Sequence, residues 1–240
     1  MEPSTQASQQ SSYHHCMLVV MAKAPRPGTV KTRLAQRLPI AAVTEFYRCL
    51  LSDTLTLARS LGNAQVAIMC PAADVAELSQ FAGGGVHVVP QKGEGLAAGL
   101  TSVFAQFAAG REQRVVAFNS DSPHLPPSVL QAAFEALLAH DLVVGPTHDG
   151  GYYLVGAKAS HPGLFAGDGM GTTTALEQLL SRAQALQLST TFTAPFYDID
   201  LAEDLLRLAS ELRVTPAKAP RTAAWFTKWQ HATSELWPGA

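Results

Sequence analysis

The stretch Met17-Leu18-Val19-Val20-Met21-Ala22, followed at once by Lys23-Ala24-Pro25-Arg26-Pro27-Gly28-Thr29-Val30-Lys31-Thr32-Arg33, decides the fold. Six apolar, largely β-favouring residues without polar alternation describe a strand buried on both faces, as in the middle of a parallel sheet. The Pro/Gly run ends that strand, and the polar residues after it read as the start of a helix. From Ala41 to Leu61 apolar side chains recur at helical spacing: Val43, Phe46, Tyr47, Leu50, Leu51, Leu55 and Ala58. Working outward, strands are expected at 64–70, 86–89, 114–118, 141–144, 152–155 and 190–196. Helices are expected at 74–81, around 96–107, and at 128–140, 173–186, 201–212 and 225–236. Strands and helices alternating at this pitch form βαβ units, hence a three-layer α/β/α sandwich on a mostly parallel, mixed, Rossmann-like sheet.

Composition agrees with a buried sheet. The chain has 240 residues, 47% hydrophobic and only 15% charged, which excludes disorder for its bulk. Seventeen Lys and Arg against nineteen Asp and Glu give a net charge of −2, so no global field attracts nucleic acid. No apolar run is long enough for a membrane span. Three scattered cysteines (Cys16, Cys49, Cys70) carry no Cys-x-x-Cys pair, so a reducing cytoplasm is the default compartment. Residues 1–16 read as a disordered tail without signal-peptide features, 17–215 as one domain, and 216–240 as a C-terminal extension with room for a helix. There Trp225, Phe226 and Trp229 read as a packing face.

In open α/β sheets, ligands bind beyond the carboxyl ends of the strands, and four segments fall there. The first holds four of the seventeen basic residues, Lys23, Arg26, Lys31 and Arg33, in eleven positions. With Gly28 and Thr32 at a helix start it suits phosphate, or is a solvated basic turn. Val30 before Lys31 shows that it is not a Walker loop. The second, Asn119-Ser120-Asp121-Ser122-Pro123-His124-Leu125, offers Asp121 as a Mg²⁺ ligand or as a turn former. The third, His148-Asp149-Gly150-Gly151-Tyr152-Tyr153, is either a hairpin turn or a backbone laid close against substrate. The fourth, Tyr197-Asp198-Ile199-Asp200-Leu201-Ala202-Glu203-Asp204, puts Asp198 and Asp200 on one side of an extended chain. Asp200-x-x-Glu203 also reads as a capping box, which makes Asp198 the stronger metal ligand of the two.

Taken together, these segments resemble the glycosyltransferase-A-like (GT-A) nucleotide-diphospho-sugar transferase superfamily, and within it the bacterial radical-SAM/selenodomain-associated transferase 1 family. Ala22 to Leu34 is similar to that family's Lys-Ala-Pro-x-Pro-Gly-x-Val-Lys-Thr-Arg-Leu signature. Asn119–Leu125, Asp149–Gly156 and Asp198–Leu205 resemble its later elements in order. The chain departs from the pattern at Leu96-Ala97-Ala98-Gly99, where Leu-Gly-Glu-Arg is expected, at Met170 in place of Trp, and at Leu201-Ala202 in place of Thr-Pro. Asp121 and Lys31-x-Arg33-Leu34 also look like elements of guanylyltransferases acting on phospholactate and on the molybdenum cofactor.

The resemblance implies a Mg²⁺- or Mn²⁺-dependent transferase with a nucleotide donor and a small-molecule acceptor. Lys31, Arg33 and Asp121 would be catalytic, with Lys23, Arg26, Gly28 and Thr32 on the nucleotide phosphates. Asp149, Gly150, Gly151 and Tyr152 would meet substrate, and Asp121, Asp198 and Asp200 the metal. Nucleotidyl transfer from a nucleoside triphosphate is the expected reaction, because so dense a basic loop suits a triphosphate. A sugar-nucleotide glycosyltransferase and a nucleotide-binding regulatory domain are the rivals. The helices leave room for a homodimer.

Overall fold

Strand β1 (Cys16–Met21) is buried along almost its whole length and pairs in parallel with β2 (Gln65–Cys70) on one side and β4 (Arg114–Asn119) on the other. It starts one residue earlier than its apolar run suggests. In this computed structural model, which describes residues 15–109, 113–167 and 173–234, seven strands form one sheet. Strand β3 (Val86–Pro90) lies outside β2, while β6 (Tyr152–Ala157), β5 (Leu142–Pro146) and β7 (Thr190–Phe192) follow β4, giving the order β3-β2-β1-β4-β6-β5-β7. Only β6 runs antiparallel to its neighbours, so the sheet is mixed as expected. Residues 1–14 of the expected tail, the stretch through Met170, Gly171 and Thr172, and the chain beyond 234 lie outside the described residues, while Cys16, expected in the tail, opens β1.

The period-two alternation of β1 divides the core. Leu18 and Val20 face one layer, with Leu51 and Leu55 of α1 (Ile40–Ser60), Leu78 of α2 (Val75–Ala82) and Leu130 of α4 (Pro127–Ala136). Met17 and Val19 face the other, with Val103 and Phe104 of α3 (Gly95–Phe107) and Leu179 of α5 (Ala175–Ala185). The result is the three-layer α/β/α sandwich. A further apolar cluster covers the outer face of α1, where Phe46 and Leu50 meet α6 (Ala202–Val214) and α7 (Pro220–Ser234).

Helix α7 is tied down by α1. Buried Asp53 accepts hydrogen bonds from the backbone N–H groups of Arg221 (3.2 Å) and Thr222 (2.8 Å) and from the Thr222 hydroxyl (2.8 Å). A carboxylate from α1 thus satisfies the free donors at the first turn of a helix far along the chain. Trp225 is 2% exposed, its ring centroid is 4.7 Å from that of Phe46, and its Nε1–H donates to the Ala42 carbonyl at 3.2 Å. The aromatic run at 225–229 is therefore a packing face.

One local expectation fails at the first loop. No helix opens at Lys31: turns and a short 3-10 segment, Leu34–Gln36, intervene before α1 begins at Ile40. The prolines and Gly28, at φ +75°, keep the chain from winding there. The phosphate reading of this loop therefore cannot draw on a helix N-terminus.

Candidate active site

The cleft at the carboxyl edge of β1, β2, β3 and β4 has a volume of about 920 Å³, within the range of small-molecule sites. Its walls include Lys23, Thr29, Val30, Lys31, Thr32 and Arg33 from the first loop and Ser120 and Asp121 after β4. Pro71–Ala73 follow β2, the Gln91–Leu96 loop follows β3, and Asp200 closes the remaining side. The first loop is held open from behind. Ala24 N–H donates to buried Asp74 at 2.8 Å, and Arg26 is engaged by Asp74 (2.6 Å), Glu77 (2.8 Å) and the Ala73 carbonyl (3.0 Å). The sequence places Arg26 among phosphate ligands; its guanidinium is turned to α2 instead and braces the loop. Neither Arg26 nor Gly28 lines the cleft, whereas Lys23, Lys31, Thr32 and Arg33 do.

Lys31 sits at the centre. Its backbone adopts φ +47°, a left-handed conformation that costs a non-glycine residue roughly 1–2 kcal/mol and persists only where the surroundings hold it. The side chain is 4% exposed, and Nζ lies 2.7 Å from Asp121 Oδ2 and 2.9 Å from Asp200 Oδ1. Burial opposes its charge, but the two carboxylates outweigh burial and hold its pKa above the ordinary lysine value. Asp200 is likewise held below the usual carboxylate range, because Lys31 and Arg33 overcome its partial burial. Arg33 NH1 is 3.6 Å from Asp200 Oδ2 on the solvent side of the pair.

Asp198 behaves differently. Burial, reinforced by the charges of Asp200 and Asp121 and opposed by Lys31, pushes its pKa up to about 6. It does not line the cleft but lies within the electrostatic reach of both other acids. The capping-box reading of Asp200 is not what the structure shows. Asp204 is the capping carboxylate, accepting the N–H groups of Asp200 (3.1 Å) and Leu201 (2.7 Å) at the start of α6. Asp200 faces Lys31 instead, and Asp121 and Asp200 converge on its Nζ, with Asp198 in electrostatic reach of both.

Hard oxygen donors converging on a single cation position are what Mg²⁺ or Mn²⁺ takes, typically one or two carboxylates completed by phosphate and water. Among the described residues no group of three or more His, Cys, Asp and Glu could hold a metal by itself. The two-carboxylate arrangement fits a divalent cation that arrives with a phosphorylated ligand.

Three residues to which the sequence assigns no role in the site, Tyr47, Ser120 and Ser122, hold the walls together. Tyr47, on α1, accepts the Lys23 N–H at 3.2 Å, and its hydroxyl is 3.1 Å from Ser120 Oγ, which in turn is 3.3 Å from Asp121 Oδ1. Ser122 Oγ donates to the Tyr197 carbonyl at 3.0 Å, tying the Asp121 loop to the strand-like segment that carries Asp198 and Asp200. Helical periodicity marks Tyr47 only as a core residue, since its partners are 24 and 73 positions away. At the missing Glu-Arg pair, Gly99 makes room: a Cβ there would lie 2.9 Å from Gln91 Oε1. Gln91 Nε2 stitches the cleft loop by donating to the carbonyls of Gly93 (2.9 Å) and Gly95 (3.2 Å).

The Asp149-Gly150-Gly151-Tyr152 segment does not line this cleft. Antiparallel pairing of β6 with β4 brings it to the same sheet edge, beside the Asp121 loop. Asp149 Oδ1 accepts from the Thr147 hydroxyl (2.5 Å) and the Gly151 N–H (3.2 Å), so the acid shapes its own turn. The Gly150 carbonyl accepts the Leu176 N–H at 3.0 Å, capping α5. Gly150 has φ +89°, and a Cβ there would lie 2.0 Å from the Thr173 carbonyl oxygen. Gly150→Ala is therefore expected to cost about 3 kcal/mol or more, combining left-handed strain with a backbone clash. Urea unfolding measures it, and a loss below about 1 kcal/mol would show that the turn relaxes freely.

His124 lies in the segment after β4, 2% exposed, its ring 4.8 Å from Phe196 and 4.7 Å from Tyr197, and neither ring nitrogen has a protein hydrogen-bond partner. Burial lowers its pKa to about 4, so between pH 6.5 and 4 the unfolded chain binds a proton that the folded chain does not. Its contribution to stability is complete above pH 6.5 and falls by up to about 3 kcal/mol as the pH drops toward 4. Asp198 acts in the opposite sense, since a carboxylate with a raised pKa is relieved by protonation as pH falls through about 6. Chemical denaturation of wild type and His124→Phe at pH 7.5 and 5 separates the two. The variant should lose less stability on acidification, and parallel losses would count against a neutral buried imidazole.

Residues 54–172 match the family model described as an uncharacterized protein conserved in bacteria, DUF2064. The middle of the chain, from within α1 to beyond β6, is thus similar to the DUF2064 family. Among solved structures, it is similar to a protein from Desulfovibrio desulfuricans G20 assigned to the nucleotide-diphospho-sugar transferases. That similarity is 26% identity at a TM-score of 0.83, over 92% of this chain and 98% of the other. A nucleotidyl transferase from Methanothermobacter shares the fold at a TM-score of 0.56 and 19% identity, over 84% and 99% of the two chains. Rv0371c from Mycobacterium tuberculosis H37Rv, crystallised with manganese, does so at 0.50 and 22%, over 81% and 97%. No curated protein matches this chain. Its fold is that of the GT-A-like nucleotide-diphospho-sugar transferase superfamily, as the four segments imply. No helix among the described residues is long and apolar enough to cross a membrane.

Proposed function

We propose that this protein is a transferase that transfers a nucleotidyl group from a nucleoside triphosphate to a small, phosphorylated or hydroxylated acceptor, releasing pyrophosphate. The observation that carries this reading is the buried Lys31 ammonium between Asp121 and Asp200 at the mouth of a cleft large enough for a nucleotide. Similarity to transferases of both the nucleotide-sugar and nucleotidyl kinds supports the enzyme class.

In such a reaction an acceptor oxygen attacks the α-phosphorus and the bond to the β-phosphate oxygen breaks. Most of the catalytic work is positioning and neutralising charge. Lys31 and Arg33, with Lys23 at the rim, would neutralise the phosphates and the departing pyrophosphate. Asp121 and Asp200 would hold a divalent cation, which supplies further charge neutralisation on the phosphate oxygens. Tyr47 and Ser120 keep the two walls in register. The segment around Asp149–Tyr152, adjoining on the β6 side, is where an acceptor would approach. The Gln91–Leu96 loop and Pro71–Ala73, opposite it, would enclose the nucleoside. Three unpaired cysteines suit a reducing cytoplasm.

One observation favours glycosyl transfer from a nucleotide-diphospho-sugar. With Arg26 turned away, the cleft holds fewer cations than the loop's composition promised, and a diphosphate needs fewer. A screen of nucleoside triphosphates and sugar nucleotides with Mg²⁺ or Mn²⁺ against candidate acceptors separates the two readings. Pyrophosphate release supports nucleotidyl transfer, and free nucleoside diphosphate with a glycosylated product would replace it with the other. Thermal stabilisation by nucleotide without any product would make the protein a nucleotide-binding regulator.

A further inference from the structure

The ion pairs at the cleft mouth have a consequence for how ligands enter. Lys31 Nζ makes its contacts, 2.7 Å to Asp121 Oδ2 and 2.9 Å to Asp200 Oδ1, with carboxylates that a hard divalent cation would use. An ammonium and a cation with metal–oxygen bonds of about 2.1 Å cannot occupy that point together. We infer that Lys31 is an internal counter-ion that competes with the divalent cation for Asp121 and Asp200, and leaves them only for the phosphates of the donor. This rests on the polyphosphate reading of the cleft.

Three features make Lys31 a competitor and not a surface ion pair. Its side chain is only 4% exposed, so its departure must be matched by another anion. Its left-handed backbone, φ +47°, turns the residue inward from a loop that Arg26, Asp74 and Glu77 brace. Arg33, 63% exposed and 3.6 Å from Asp200, remains outside as a loose second cation, so the displacement of Lys31 need not strip Asp200 of positive charge. Cation and donor therefore bind with mutual reinforcement, each improving the other's affinity by the same factor. Free cation alone binds poorly.

Mn²⁺ binding followed by electron paramagnetic resonance, with no nucleotide added, tests this without reference to turnover. Lys31→Met keeps the stem and removes the charge, and is expected to bind Mn²⁺ at least tenfold more tightly than wild type. Adding Asp121→Asn to Lys31→Met should abolish that gain. As a measurement on the native chain, the ¹⁵Nζ signal of Lys31, assigned by its loss in Lys31→Arg, should shift as Mg²⁺ saturates the protein. Equal Mn²⁺ affinity in wild type and Lys31→Met, or Mg²⁺ binding that leaves the Lys31 signal unmoved, overturns the competition and leaves the metal site standing. No binding of Mn²⁺ or Mg²⁺ by any of these proteins overturns the metal site and the competition with it.

Discussion

Asp121→Asn is expected to slow pyrophosphate release on the order of 100-fold while the protein stays folded. Asparagine is isosteric, so packing is preserved; what disappears is the negative charge 2.7 Å from Lys31 Nζ and half of the carboxylate pair that would hold a cation. The buried Lys31 ammonium keeps Asp200 Oδ1 at 2.9 Å after the change, so it is not left without a carboxylate and the fold survives. Lys31→Ala should lower turnover more than tenfold by removing the ammonium that would move to the phosphates. The measurement is steady-state kinetics on the substrate pair that the screen identifies, with circular dichroism to confirm folding. Near-normal rates in Asp121→Asn would move the active site elsewhere.

The largest stability effect is expected at Trp225, far from the cleft. Trp225→Ala removes a 2% exposed ring packed on Phe46, Phe226 and Trp229, and leaves the Ala42 carbonyl without its indole donor. Truncations of this kind cost about 3–5 kcal/mol, a large part of the roughly 5–15 kcal/mol that holds a typical domain together. Because α1 carries Phe46 toward α7 and Tyr47 toward the cleft, loosening α7 should also weaken nucleotide-dependent stabilisation. Denaturant unfolding of the variant reads the first effect, and thermal shift with nucleotide the second. A loss below about 1 kcal/mol would mean that α7 is a dispensable appendage and not part of the α1 packing layer.

Much of this architecture is legible locally. The run from Met17 to Ala22 announces a buried central strand because a two-sided strand needs apolar residues at every position. Alternating strand and helix patterns imply the parallel sheet. The clustering of chemistry at strand ends follows, since side chains there face neither packing layer. The Asp149-Gly150-Gly151 turn is visible too, although its glycine answers to the Thr173 carbonyl, which no short window contains.

The sequence by itself determined the sheet, its layering and the set of charged residues at its carboxyl edge, because burial and backbone periodicity act over a few residues. Which of those charges meet was decided only by tertiary structure. Lys31 and Asp200 are 169 positions apart, and Asp204 relieves Asp200 of the capping role that local spacing assigns to it. Arg26, inseparable in sequence from the other cations of its loop, finds Asp74 just before α2 and Glu77 on it, and leaves the cleft. Electrostatic pairing depends on distances of a few ångströms between distant segments, and only the folded chain sets those distances.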